Sequence, residues 1–258
     1  MVLQLRDINL TYNQNLILSN ININFNQGEI VGLVGKNGSG KTSMINIING
    51  LQKPTSGIVS YNGENINSMS IKYRSKFISV VPQKINFPTD YKVIDLVYMG
   101  RNPYIDFFHM GTNEDLEITY DVMEMTNIVN LSDKLISEIS GGEIQRVAIA
   151  MALNQRSPIL LLDEPTSNLD LINQVMVLDL VKKLKNKYNT SIILSIHDLT
   201  LASKYCDRIV MLKDGILFAE GKPLEIFNQQ NIEDVFEAKV RINKDPLDDS
   251  ILVIPEII

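Results

Sequence analysis

The run Gly35-Lys36-Asn37-Gly38-Ser39-Gly40-Lys41-Thr42 has the residue types and spacing to hold phosphate. It fills every fixed position of the pattern G-x-x-x-x-G-K-T/S. Glycines let the backbone curl, so that successive N–H groups converge on a polyphosphate. Lys41 reaches the β- and γ-phosphates, and the Thr42 hydroxyl ligates Mg²⁺. Such a loop needs a strand before it and a helix after it. The apolar run Glu29-Ile30-Val31-Gly32-Leu33-Val34 reads as a buried strand, and Ser43-Met44-Ile45-Asn46-Ile47-Ile48 has apolar residues at helical spacing. The helix N-terminus adds partial positive charge.

A second centre is acidic. Ile159-Leu160-Leu161-Leu162 is an apolar strand that ends in Asp163-Glu164-Pro165. In an open parallel sheet, ligands sit beyond the carboxyl ends of the strands. If the two strands are neighbours, one carboxylate can hold Mg²⁺ and the next can take a proton from an attacking water. Two acids before a proline are otherwise only a turn signal. Four apolar residues ahead of them, in a chain with a phosphate loop, favour the chemical reading.

The elements that must position these groups alternate. Strands are expected at 2–12, at 20–26 with strict period two, at 57–61 before the Asn62-Gly63 turn, and at 78–81 before Pro82. Between Lys92 and about Ala152 helical spacing dominates, with breaks at Gly100, Pro103 and Gly111. Strand and helix then alternate over 159–162, 171–187, 191–196, 199–205 and 208–212. The pattern predicts an α/β fold with a mainly parallel sheet covered by helices, into which the helix-only stretch is inserted. Lys182, Lys183, Lys185 and Lys187 form either a basic patch or the cationic end of a helix, and the second reading is favoured.

The 258 residues are 45% apolar and 21% charged, which suits a globular chain with a substantial core. A net charge of −6 argues against a broad nucleic-acid-binding face. Cys206 is the only cysteine, so no disulfide framework is expected, and it reads as a small apolar filler on a helix. No signal peptide is visible and no apolar run approaches about 18 residues. The expectation is a soluble intracellular protein.

The segment Ile139-Ser140-Gly141-Gly142-Glu143-Ile144-Gln145-Arg146 resembles the signature of the ATP-binding-cassette (ABC) family, here with Ile139 where leucine is usual and Glu143 where glutamine is common. A Ser-Gly-Gly start also caps a helix and exposes N–H donors for phosphate. The resemblance runs from about residue 2 to about 240. It implies a P-loop NTPase core with a mainly parallel sheet, an N-terminal antiparallel β part and a helical subdomain inserted at about 90–155. Residues 1–240 would be the ATPase domain and 241–258 a C-terminal extension.

The resemblance also implies roles. ATP would be held by Tyr12, stacked on adenine, and by Gly35, Asn37, Gly38, Ser39, Gly40, Lys41, Thr42 and Ser43. Ser140, Gly142 and Asp170 would complete the site from a second copy of the chain. Mg²⁺ would be held by Thr42, Gln83 and Asp163, with Glu164, His197 and Gln83 catalytic. Each has a blander reading: Tyr12 an ordinary strand tyrosine, Gln83 a solvated loop residue, His197 a structural histidine, and Asp170, in the loop Ser167-Asn168-Leu169-Asp170, a helix N-cap. His109 matches nothing.

Val93 to Tyr104, with Gly100-Arg101-Asn102-Pro103, resembles the matching segment of importers for iron-siderophores, haem and cobalamin, or is simply a helix stopped by Gly and Pro. The implied partners are a second copy of this chain in an ATP-dependent dimer, integral membrane permease subunits and, indirectly, a substrate-binding protein, with no nucleic acid. The implied place is the cytoplasmic face of the membrane. A soluble single-cassette ATPase serving iron–sulfur cofactor assembly is the alternative. A module that binds ATP without turnover would be expected to lack Glu164 or His197.

Overall fold

The computed structural model describes residues 3–105, 111–167 and 169–256. Val2, His109 and Asn168, named above, lie outside them. In chain order the elements are β1 (Leu3–Tyr12), β2 (Asn15–Phe25), β3 (Ile30–Val34), α1 (Lys41–Ile48), β4 (Ser56–Tyr61), β5 (Glu64–Asn65), α2 (Ile71–Arg74), β6 (Ile78–Val81), α3 (Val93–Met99), α4 (Asn113–Met125) and α5 (Gly141–Asn154). They continue with β7 (Ile159–Leu162), α6 (Leu171–Tyr188), β8 (Ser191–Ser195), α7 (Leu199–Tyr205), β9 (Arg208–Lys213), β10 (Ile216–Gly221), α8 (Pro223–Ile226), α9 (Gln229–Phe236), β11 (Val240–Lys244) and β12 (Ile251–Pro255). The chain divides into two compact units, one up to Ser68 together with everything from Lys185 on, the other Met69–Leu184.

In the first unit β1, β2, β4 and β5 form an antiparallel sheet in the order β2-β1-β4-β5. The period-two pattern of β2 is realised from Asn20 to Phe25, where asparagines face out and Ile21, Ile23 and Phe25 are buried. The strand starts earlier than its alternation suggests, at Asn15, because the register shifts near Asn20 and resets the pleat. Strand β3 is parallel to both β8 and β9, and β10 pairs antiparallel with β9. Every residue of β3 and β8 is buried, which explains why these strands read as continuous apolar runs without alternation. Helix α1 packs Met44, Ile45, Ile47 and Ile48 inward and ends where Gly50 takes a left-handed φ of 71°.

In the second unit β6 and β7 pair in parallel, Ile78 opposite Ile159 through Val81 opposite Leu162. Helices α3, α4 and α5 bury Val93, Leu96, Val97, Val122, Met123, Val147 and Ala150 against one another. Each of the Val, Leu and Met side chains contributes about 1.5–3 kcal/mol when fully buried. Gly100 caps α3, and a Cβ there would stand 2.2 Å from the Met151 carbonyl oxygen, so glycine lets α3 and α5 approach backbone to backbone. Arg101 then donates to Asp115 (2.8 Å) and to the Asn154 carbonyl (3.0 Å), tying the segment after α3 to the start of α4 and the end of α5. Burial pushes the Asp115 carboxyl up, but hydrogen bonds from Thr112 and Arg101 prevail and hold it below its ordinary value.

Cys206 sits at the cap just past α7 rather than within it, and burial pushes its thiol up. Of the lysine group, Lys185 and Lys187 lie in the last turn of α6, and Lys185 pairs with Asp207 at 2.6 Å.

Candidate functional site

The phosphate loop belongs to the first unit. Leu33 of β3 pairs with Ser195 of β8, so the parallel strands deliver Gly35 and His197 at the same edge of their sheet. The Ile196 N–H donates to the Leu33 carbonyl at 3.2 Å, and His197 is exposed just beyond it. Gly35 has φ 150°, and a Cβ there would lie 2.3 Å from the Leu212 carbonyl oxygen, so no larger residue fits. Gly40 is the α1 N-cap with φ 102°, and its Cβ would strike Leu18 at 2.5 Å. The loop is thus bent by sites only glycine fills.

Two features of the loop fit an anion. The Lys41 ammonium, itself buried, turns back onto the loop and donates to the carbonyls of Gly35 (2.7 Å) and Lys36 (2.9 Å). It is held against the loop by carbonyl acceptors that it can exchange for phosphate oxygens. The Ser39 hydroxyl is buried and has no hydrogen-bond partner among the described residues. A buried orphan donor costs about 1–3 kcal/mol, so it is a place where a ligand oxygen gains. Thr42, the second residue of α1, is exposed, as is Asn37, and Ser43 is half-buried. Tyr12 ends β1 before a tight turn of two left-handed residues, Asn13 and Gln14, and stands 65% exposed, free to offer a ring face.

The acidic centre belongs to the second unit. Because Val81 is level with Leu162, Gln83 and the Asp163-Glu164 pair leave the same edge of the β6–β7 ribbon. The Asp163 N–H donates to the Val81 carbonyl (3.0 Å), and Asp163 is buried. Gln83 Nε2 donates to Glu164 Oε2 at 2.6 Å. Glu164 itself has a left-handed φ of 49°, an uncommon backbone for a glutamate. A carboxylate oriented by an amide donor has the chemistry to accept a proton if a substrate water lies within reach.

The signature segment caps α5. Ser140 is its N-cap and Glu143 completes a capping box. Glu143 accepts from the Ser140 N–H (2.7 Å) and the Ser140 hydroxyl (2.8 Å), and these two bonds, in that order, hold its carboxyl below its ordinary value. Asp170 caps α6, accepting from the Asn173 N–H, and also accepts from the Asn173 side-chain amide, both at 2.9 Å. Asn173 lies against Gly142, 3.3 Å from where a Cβ would be. This link between Gly142 and Asp170 through Asn173 was not visible in the sequence, because its only signal was an asparagine three residues after an N-cap. The structure therefore groups Tyr12, the loop and His197 in one unit, and Gln83, Asp163, Glu164, Ser140, Gly142 and Asp170 in the other.

A family model described as "ABC transporter" matches residues 18–167. The petrobactin import ATP-binding protein FpuD of Bacillus anthracis is 34% identical over 98% of this chain and 93% of its own length. The cobalamin import ATP-binding protein BtuD of Halobacterium salinarum is 35% identical over 93% of this chain, which spans 60% of that longer relative. Among solved structures, an ATP-binding cassette in a dimeric post-hydrolysis state with ADP and phosphate superposes with a TM-score of 0.77 and 31% identity, over 86% of this chain and 98% of that one. The phosphate loop, the oriented glutamate and the capped Ser-Gly-Gly helix thus occur together in a chain that belongs to the ABC transporter family.

Proposed function

We propose that this cassette drives an importer for an iron-siderophore, haem or cobalamin from the cytoplasmic face of the membrane, bound to integral permease subunits that take substrate from a binding protein. The names of the relatives, import ATP-binding proteins for petrobactin and cobalamin, support that class. No helix among the described residues is long and apolar enough to cross a membrane.

The observation that carries the chemistry is the Gln83–Glu164 hydrogen bond. Lys41, the loop amides and Ser39 take the phosphates of ATP, and Tyr12 takes the adenine ring. Glu164 accepts a proton from water as the water oxygen bonds to the γ-phosphorus. The bond to the bridging oxygen of ADP breaks, and ADP leaves with inorganic phosphate as the second product. His197 steadies the γ-phosphate. Thr42, Gln83 and Asp163 would hold Mg²⁺, which when bound neutralises phosphate charge. Ser140, Gly142 and Asp170 serve the nucleotide of a second copy, so that ATP joins two cassettes and hydrolysis parts them. The dimeric state of the solved relative supports the pairing of two cassettes.

The test is purification from solubilised membranes with ATPase assay. An integral membrane protein that copurifies in fixed ratio and changes the turnover of the cassette is expected. A cassette that copurifies only with soluble proteins, at unchanged turnover, would overturn the transport reading and leave its ATPase chemistry standing.

A further inference from the structure

The segment after α8 has no part in the chemistry above, yet it touches the phosphate loop. Glu237, the residue that stops α9, places its carboxylate 2.6 Å from the ammonium of Lys36, the second residue of the loop. Glu237 has a left-handed φ of 54°. Glycine or asparagine makes that stop without strain, so as a helix stop alone glutamate is a poor choice. What it adds is a charge aimed at Lys36, and Lys36 in turn holds the Glu237 carboxyl below its ordinary value.

The other end of the same segment is anchored to the helix that follows His197. Strands β11 and β12 form a hairpin with Val240 opposite Pro255 and Lys244 opposite Ile251. The Ile251 N–H donates to the Ser203 hydroxyl (2.7 Å) and the Val253 N–H to the Thr200 hydroxyl (3.2 Å), both on α7. Lys204 of α7 pairs with Asp248 in the hairpin turn at 3.0 Å. Ile251 and Val240 are buried, so the hairpin is packed and not a loose tail. Helix α7 begins at Asp198, whose side chain caps it, directly after His197. One continuous segment therefore connects the loop that receives phosphate to the helix that carries the histidine's neighbour.

We propose that residues 229–255 form a brace across the ATP site of this unit, in which Glu237 is a positioning residue that sets the phosphate loop through Lys36. It rests on the loop binding nucleotide and not on the transport reading, so the two fail separately. The pair is largely exposed, so its effect is small and salt-sensitive.

The test uses full-length protein and a double-mutant cycle. In Glu237→Gln the KM for ATP should rise about two- to fivefold at low salt with kcat unchanged. The same substitution in a Lys36→Met background should do nothing further, and the difference from the parent should vanish at about 0.5 M salt. Unhooking the far end with Ser203→Ala and Lys204→Met should speed hydrogen exchange at the amides of residues 36–40, as Glu237→Gln does. A KM that is unchanged or lower in Glu237→Gln, or an equal effect with and without Lys36, would overturn the positioning role. Loop exchange that ignores the α7 anchor would overturn the brace.

Discussion

Lys41 and Glu164 make separable demands on single side chains. In Lys41→Ala the triphosphate loses a charge-assisted contact worth about 1.5–3 kcal/mol, so ATP affinity should fall about 10- to 100-fold by calorimetry. Equal affinity would remove the loop from the site. In Glu164→Gln the new side chain still presents an oxygen to Gln83 Nε2, so the geometry of the 2.6 Å bond survives while the base is lost. Turnover should drop by about 10²–10⁴ while ATP binding holds. Near-normal turnover would move the base elsewhere. Both residues were legible in the sequence because their neighbours are local: the loop glycines around one, a four-residue apolar strand ahead of the other. That Gln83 aims Glu164 was not, since the two are 81 positions apart and meet only through the β6–β7 register.

At the scale of elements, helix α5 depends on its cap. Glu143 is ionised more readily in the folded state, because the Ser140 N–H and hydroxyl hold its carboxylate. A depressed folded pKa contributes stability that is fully present above the ordinary value of 4.5 and is lost as pH falls through the lowered value. Glu143→Gln keeps a capping-box side chain but removes the titration. Its urea midpoint should therefore fall less than that of the parent as pH drops below 4.5. Parallel curves for the two proteins would show that the carboxylate contributes nothing to the acid limb. The Ser-Gly-Gly start and the helix it opens were read from sequence, as capping needs only neighbours. The occupancy of the Ser140 hydroxyl by Glu143 needed the built helix turn.

At the scale of the whole molecule the prediction concerns a second copy. Gly142→Asp puts a carboxylate at the start of α5, where the partner's γ-phosphate is proposed to sit. Locally the change is mild, because the first atom it meets is the Asn173 side chain at 3.3 Å, which can turn aside. Folding and ATP binding by the monomer should persist. In the Glu164→Gln background, which should run as an ATP-bound dimer on gel filtration, adding Gly142→Asp should return it to monomer through like-charge repulsion. A dimer that forms regardless would show that the signature segment does not act across copies.

What the sequence determined by itself was whatever depends on short range. The phosphate loop, the acidic strand end and the signature cap each lie within a dozen residues, and the α/β alternation is a succession of local periods, so spacing speaks directly. Strands β5, β10, β11 and β12 and helices α2, α8 and α9 are not among the elements expected from the sequence. Of these, β5, β11, β12, α2 and α8 run to five residues or fewer, too short for a period to show. Their roles come from what they pack on. Only the tertiary structure decided that Gln83 meets Glu164, that Asn173 stands between Asp170 and Gly142, and that Glu237 reaches back to Lys36. The reason is physical: parallel register and the return of the chain over α7 join residues far apart in sequence, and no local pattern encodes which distant charge a side chain will find.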